Sequence, residues 1–577
     1  MSNVQCPNVP LSNVPRPIIQ RPLSNVQYPT SIMQKLLLSA LLFCAFALQL
    51  PAQTIPSVQE VYKIFQNKCV SCHDNASPEA NLDLQGTGAT ELLRAQNVAS
   101  KLVNINPSNA NALSNGYKRV YPGRADKSFL FKKINIGLES TIPALNAEEG
   151  GIMPGSFPNP ELTSIEKEII RQWILYGAKN SGVQFDKSLV ETFYTDGGEK
   201  SFPSGPPPGP AAGEGFQIKM GPFFLAPDAE VEYYQKWEMN LPANVEVNGI
   251  DFKISPFSHH FLLYSFTGSG AASIPAGLRL NANHSQINLV AAVQEATDLR
   301  LPGKTAFKWD KNIVLDLNSH YINYSLSKPY QCEAYVNVYT QVPGTAPQEM
   351  FAVLLVNPNI PIANSGDFIT HTRNEFQFGA DSIYIWGLMG HTHKYGRGYK
   401  VWKRLANGQK GELIYDASCS MGIPGCPTPW YDYQHIPIRY WEPSLPIKWG
   451  VGIIHEAEWL NDGPVPVNFG PTSDDEMMVL IAFYTEKPIT VGTQSPESQW
   501  GATQILVTPN PTSGTTLFSL PEGVQSVRSF RLFNITGQEV MHHTELQGNQ
   551  FELDLSRLSP GIYFFDADGR RGKLERG

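Results

Sequence analysis

Between Phe216 and Glu486 short runs of alternating apolar and polar residues recur between clusters of Gly, Pro and Asn. Alternation with period two buries one face of each run and wets the other, while Gly and Pro end it. No run there keeps an apolar period of 3.6 residues long enough for a substantial helix. The pattern predicts antiparallel sheets packed as β-sandwiches. A chain of 577 residues with 47 Gly and 46 Pro exceeds one core, so three or four domains are expected. The net charge of −8, with no basic block, argues against nucleic acid as a partner.

Residues 1–32 are rich in Pro and Asn and repeat Ser-Asn-Val from Ser2, Ser12 and Ser24, which reads as unstructured sequence. Met33-Gln34-Lys35, the apolar run Leu36–Leu50 and Pro51-Ala52-Gln53 have the order of a secretory signal peptide, here 33–52. The apolar run is short for a membrane span. Export would leave Cys69, Cys72, Cys332, Cys419 and Cys426. Cys419 and Cys426 bracket a short Gly/Pro loop and can form a disulfide in an oxidising compartment, with Cys332 left over or competing.

Residues 54–180 read differently. Ser57-Val58-Gln59-Glu60 has the form of a capping box opening a short helix. The helix runs into Cys69-Val70-Ser71-Cys72-His73, in which two thiols can bond haem vinyl groups while the imidazole takes the iron. A zinc site would need a second ligand pair of comparable quality, and none follows. No histidine lies between His73 and His259, so Met153 is the candidate sixth ligand, ahead of an amphipathic helix expected over Leu162–Gly177. The order of CxxCH, Tyr121-Pro122-Gly123, Met153-Pro154 and a closing Trp-Ile helix resembles class I cytochrome c domains fused to secreted bacterial enzymes. His/Met ligation raises the haem potential and suits an electron relay. Phe202–Pro210, within a linker expected at 198–214, reads as a polyproline spacer.

Five of the twelve histidines fall in three strand-like runs: His259-His260, His320, and His391-Thr392-His393. Asp474-Asp475-Glu476-Met477-Met478 follows. Imidazole and thioether are copper ligands by chemical preference. In a strand, residues i and i+2 share a face, so His391 and His393 can chelate one ion. His259 and His260 point to opposite faces unless the backbone bulges there. His320 can complete a set of three imidazoles, and of Met477 and Met478 only one can face a metal.

This order resembles the copper type II, ascorbate-dependent monooxygenases, the family of peptidylglycine α-hydroxylating and dopamine β-monooxygenases, over residues 215–488. The resemblance implies two jelly-roll-like sandwiches, 215–345 and 346–488, each holding one copper. It implies an electron-transfer site of His259, His260 and His320, and a catalytic, oxygen-activating site of His391, His393 and Met477. Met477 is preferred to Met478 because it follows Asp475-Glu476. The implied reaction hydroxylates a C–H bond of a small molecule with O2. Its electrons would come from an external donor, an ascorbate-like reductant or another cytochrome, through the fused haem c. Peptide-amidating members place an Arg, which holds the substrate carboxylate, where this chain has Met389. Asn318 stands in place of a Gln and Ile481 in place of a Tyr. A neutral, apolar substrate fits better than a peptide carboxylate. The rival reading is a non-catalytic extracellular haem/copper electron-transfer or metal-binding surface protein. Degraded ligands would mark it, and all six copper positions keep ligating residue types.

Residues 500–577 open on Val507-Thr508-Pro509-Asn510-Pro511 and resemble the C-terminal sorting domain of the type IX secretion system, with the secretion machinery as partner. His542-His543 there reads as a solvated pair. The expected architecture is multidomain: a small all-α cytochrome c domain, two β-sandwich copper domains, and a small β-sandwich sorting domain.

Overall fold

A computed structural model describes residues 55–576 apart from 156–160, 295, 376–381, 419–430, 435, 449, 471, 490–504, 509–511, 513, 521–523, 535–538 and 568–569. The expected signal peptide, Cys419 and Cys426 lie outside the described residues. Strand dominates, 43% against 15% helix, as the turn-punctuated pattern requires.

The all-α cytochrome c domain expected over 54–180 is not seen. The helices of this region pack mainly on one another, but they do not stand apart from the rest of the chain. Their apolar faces join one continuous cluster that runs from Val58 through both central sandwiches to Ile489. Isolated β-bridges, Val103 with Val120 and Lys118 with Ser128, tie the intervening loops. The Ser164–Leu175 helix explains the difference. Ile169, Ile170, Trp173 and Ile174 are buried on its apolar side, worth roughly 1.5–3 kcal/mol for each large side chain. Glu168, Arg171 and Gln172 on its polar side are buried as well. In sequence that polar side is indistinguishable from a solvated one. Here it docks on the first sandwich instead. Gln172 Nε2 donates to Pro222 O at 2.8 Å, and Arg171 pairs with Glu168 and, at 2.9 Å, with Glu139. Lys219, on the Gly215–Leu225 strand, pairs with Glu139 and reaches Glu333 at 3.5 Å. Tyr176 donates to Tyr233 across the same seam, and Arg124 lies over the Trp237 ring. At Gly123, Gly177 and Gly277 the two parts meet backbone to backbone. A Cβ on Gly123 would lie 2.7 Å from Gly277 N, and one on Gly277 would lie 2.4 Å from Gly177 N.

Two local expectations also change. The helix ahead of Cys69 spans Ser57–Lys68 and is preceded by Pro56, with no side-chain cap. The Ser57 hydroxyl accepts from Gln184 N–H at 3.0 Å instead, so tertiary contact displaces the capping box. Capping boxes do occur at Asn146/Glu149 and Thr163/Glu166. The Pro-rich segment is strapped to a sheet: Pro207 O accepts from Gln217 Nε2 and Pro208 O from Asn337 Nδ2. Just ahead of it, Glu199–Lys200 pairs parallel with Tyr330–Gln331.

The first sandwich packs a seven-stranded sheet against a five-stranded one. In the smaller sheet Val314–Ile322 is central, between Glu230–Glu238 and Ser258–Phe266, with Ile287–Val293 beyond the latter. The second sandwich has two four-stranded sheets, one ordered Phe351–Val356, Val479–Thr485, Ser382–His391, Arg439–Lys448. Residues 506–576 form a separate small sandwich around Phe518, Phe530 and Phe565.

Burial alone would raise the Glu139 carboxyl, but Lys219 and Arg171 outweigh it and hold the group at about 2. Its stabilising contribution is therefore complete above the ordinary glutamate range and lost as pH falls from 4.5 toward 2. Glu139→Gln should cost about 1–3 kcal/mol at pH 7, since Arg171 and Lys219 keep other partners. The gap from the parent chain should narrow at pH 3. Thermal unfolding at the two pH values checks this, and a gap independent of pH would refute it.

Candidate metal centre

The two central sandwiches face each other through the five-stranded sheet of the first and the 351–448 sheet of the second. Period-two alternation sets the opposed side chains. From the first come Glu232 and Tyr234, His260, Leu262 and Tyr264, and Asn318. From the second come Leu354 and Val356, Met389 and His391, and Val479 and Ile481. Between them lies a cavity of about 590 Å³, counting its open mouth, closed in part by Phe469 and Met477.

All five histidines of the three strand-like runs gather at one end of this space. The 258–266 and 314–322 strands shift register beside them: His320 pairs with His260, but Tyr321 pairs with Ser258. His259 is thus the extra residue of a bulge, and the bulge lets both neighbours turn inward. His259 lies 5.6 Å from His260 and 5.1 Å from His320 between ring centres. It also lies 5.9 Å from His391 and 5.5 Å from His393, on the other sandwich. His391 ends its strand, and His393 sits just beyond it with the two rings 5.2 Å apart. Among the described residues two groups could hold a metal ion: His259, His260 and His320, and His259, His391 and His393.

The nitrogens not turned into the cluster are occupied. His260 Nε2–H donates to Glu232 and to Asn318 Oδ1, at 3.2 and 3.1 Å. His320 Nε2–H donates to Glu230 at 2.6 Å, and His393 Nδ1–H donates to the Asp475 carbonyl at 3.1 Å. Gln294 Nε2 lies 2.9 Å from His391 Nδ1. Three buried nitrogens, His259 Nε2, His320 Nδ1 and His393 Nε2, have no hydrogen-bond partner. An unpaired buried acceptor costs free energy, and outer partners that fix imidazole tautomers are a hallmark of metal ligands. The arrangement fits a soft or borderline cation.

Electrostatics agrees. Burial and then mutual repulsion push His259 and His391 well below the ordinary histidine range, and burial pushes His393 down to about 4. These three imidazoles are neutral at pH 7, the form that ligates. Burial would raise Glu230 and Glu232, but their histidine hydrogen bonds hold both near 2, so each is anionic.

Three features escaped the sequence reading. Glu230 and Glu232 carry no motif; only the strand register puts them beside His320 and His260. Glu476, noted only as part of an acidic run, is fully buried. Its carboxyl accepts the backbone N–H of His393, Tyr395 and Met477 and the Trp459 indole N–H, pinning the loop after His391 to the loop before Met477. Burial pushes it up to about 7 against those donors. Met477 is half-buried on the cavity wall, whereas Met478 is fully buried with Asn357 Nδ2 on its sulfur.

Far from this cluster, His73 is buried with Nδ1 near the carbonyls of Glu79 and Leu82, at 3.2 and 3.1 Å. Cys69 is half-buried and Cys72 exposed, and neither is in a disulfide. Met153 is 39% exposed in a turn, its N–H on Lys133 O. Cys332 is a free, buried thiol in the 330–341 strand.

One comparison is decisive for the C-terminus. Residues 506–576 match the family described as "Secretion system C-terminal sorting domain". They are a type IX sorting domain. It implies export to the cell surface or beyond, through the type IX machinery. No curated protein matches the chain. Among solved structures, the crystal structure of the STIV MCP is 9% identical and covers 47% of this chain and 97% of its own, at a TM-score of 0.24. The CBM51-2 and INT domains of Clostridium perfringens ZmpB are 8% identical, covering 39% and 79%, at 0.11. At such TM-scores the likeness carries no argument.

Removing an outer partner should weaken metal binding without touching a ligand. Glu230→Ala and Glu232→Ala should each lower copper affinity about 10–100-fold. Chelator competition measures it, and unchanged affinity would show that the carboxylates do not tune the imidazoles.

Proposed function

We propose that this exported chain is a copper-dependent monooxygenase that hydroxylates a C–H bond of a small, neutral organic substrate with O2. The observation that carries the reading is the pair of buried imidazole groups, with orphaned nitrogens, at the end of a mainly apolar cavity. Copper, when bound, would supply one-electron chemistry and oxygen activation, with His259, His260 and His320 as the electron-transfer ligands and His391, His393 and Met477 as the oxygen-activating ones. The half-buried Met477 thioether on the cavity wall suits a ligand to reduced copper.

The chain's own residues would do the rest. Glu230, Glu232, Asn318 and the Asp475 carbonyl hold their rings by accepting from the outer nitrogens, and Glu476 fixes the loops that carry His393 and Met477. Leu354, Val356, Met389, Val479 and Ile481 form an apolar wall that would take a hydrocarbon body and exclude water. Among the described residues the lining contains no Lys or Arg, and anionic Glu232 would repel a carboxylate.

Cys69, Cys72 and His73 are proposed to attach a haem c that feeds electrons singly. The carbonyls at His73 Nδ1 would orient the ring and leave Nε2 for iron. Met153, whose side chain takes no part in the core, is the proposed opposite ligand.

The test is metal and haem analysis of the purified exported chain with stopped-flow reoxidation by O2. Two coppers and one haem per chain, with haem oxidation coupled to copper, is the expected result; a haem protein that takes up no copper would sink the reading. Met477→Ile should abolish oxygen consumption while the haem still reduces normally. Copper uptake with no oxygen consumption by the parent chain under any reductant would leave the non-catalytic electron-transfer reading.

A further inference from the structure

The resemblance gives each copper its own sandwich and assigns His259 to one of them. The geometry points to a different arrangement: we propose that the five imidazoles form a single two-metal centre across the sandwich interface, with His259 shared between the two positions. This rests on the copper reading above and changes what its metal site is.

Four observations support it. The two possible ligand sets are not separate, because His259 belongs to both, and within each set the candidate ligand atoms lie within 4.8 Å of one another. The rings interlock across the interface: His259 with His391 and His393 at 5.9 and 5.5 Å, and His260 with His391 at 6.1 Å. The orphaned nitrogens come from both sandwiches, His259 Nε2 and His320 Nδ1 from the first and His393 Nε2 from the second. Finally, the outer partners are exchanged. Gln294 of the first sandwich lies against His391 of the second, while Ser473 of the second donates from N and Oγ to Glu230, at 3.0 and 2.6 Å, the carboxylate that holds His320. Neither half-site keeps its full set of outer partners without the other sandwich. A neutral imidazole has one lone pair, so His259 serves both ions only as an imidazolate, one ring nitrogen on each, its N–H proton released to solvent as the second ion binds. The bulge that brings His259 inward is what allows one imidazole to serve both positions.

The consequence is direct electronic contact between the metals, which spectroscopy reads without turnover. The full chain, stripped of metal, is titrated with Cu(II) under argon. The copper EPR spin count is compared with bound copper from elemental analysis. The expected result is two coppers per chain whose summed signal falls below half the bound copper once the second equivalent is in, with a half-field transition. Two coppers contributing two full, independent spins would overturn the shared centre while leaving the copper reading intact. No copper binding would sink both. His259→Ala should weaken both positions by at least about tenfold, the low end of the loss seen even for outer-shell changes, and return full spin to any copper that remains. Weakening at one position alone would overturn the sharing. The spin count on the parent chain stands whether or not this variant folds.

Discussion

Much of the central 270-odd residues of this chain answers to one constraint: five imidazoles, four of them buried and His259 half-buried, are packed together. Desolvation and mutual repulsion keep protons off His259 and His391, and three ring nitrogens of the cluster are buried without a hydrogen-bond partner. A cluster like this is costly as an empty cavity wall and favourable as a metal site. The surrounding residues follow from it. Carboxylates, an amide and a carbonyl hold the outer nitrogens, and a buried glutamate ties down the two loops that reach in from the second sandwich.

The same demand explains why the two sandwiches meet as they do. Each presents a sheet whose alternate residues face the gap, apolar for most of their length and histidine-bearing at one end. The apolar stretches supply the cohesion and the cavity. The exchanged partners, Gln294 toward His391 and Ser473 toward Glu230, lock the register of one sheet on the other. The helical N-terminal region extends this body, because its charged residues are consumed in a buried network with Lys219 and Glu333.

Several parts were legible in sequence for clear physical reasons. Turn punctuation and period-two alternation report local geometry, so the β-rich character of the middle of the chain was readable. The C-terminal sorting domain was readable from its Pro-Asn-Pro opening and the strand pattern after it. The conditional statement about His259 and His260, that both can face one site only through a bulge, was also a local matter. The helical region was misread because amphipathicity shows which residues could be buried but not whether the opposite, charged face meets water or another domain. Ser57 was misread as a cap for the same kind of reason: its hydroxyl had a better partner 127 residues away.

What the sequence determined by itself is the inventory: which side chains can ligate, where strands break, and which wall residues are apolar. Those follow from chemistry and short-range sterics. The tertiary structure alone decided the grouping. Strand register placed Glu230 and Glu232 behind His320 and His260, and a one-residue bulge turned His259 inward. The packing of one sandwich on the other then brought His391 and His393 against it. Such relations depend on pairings between residues scores of positions apart, which no local pattern encodes.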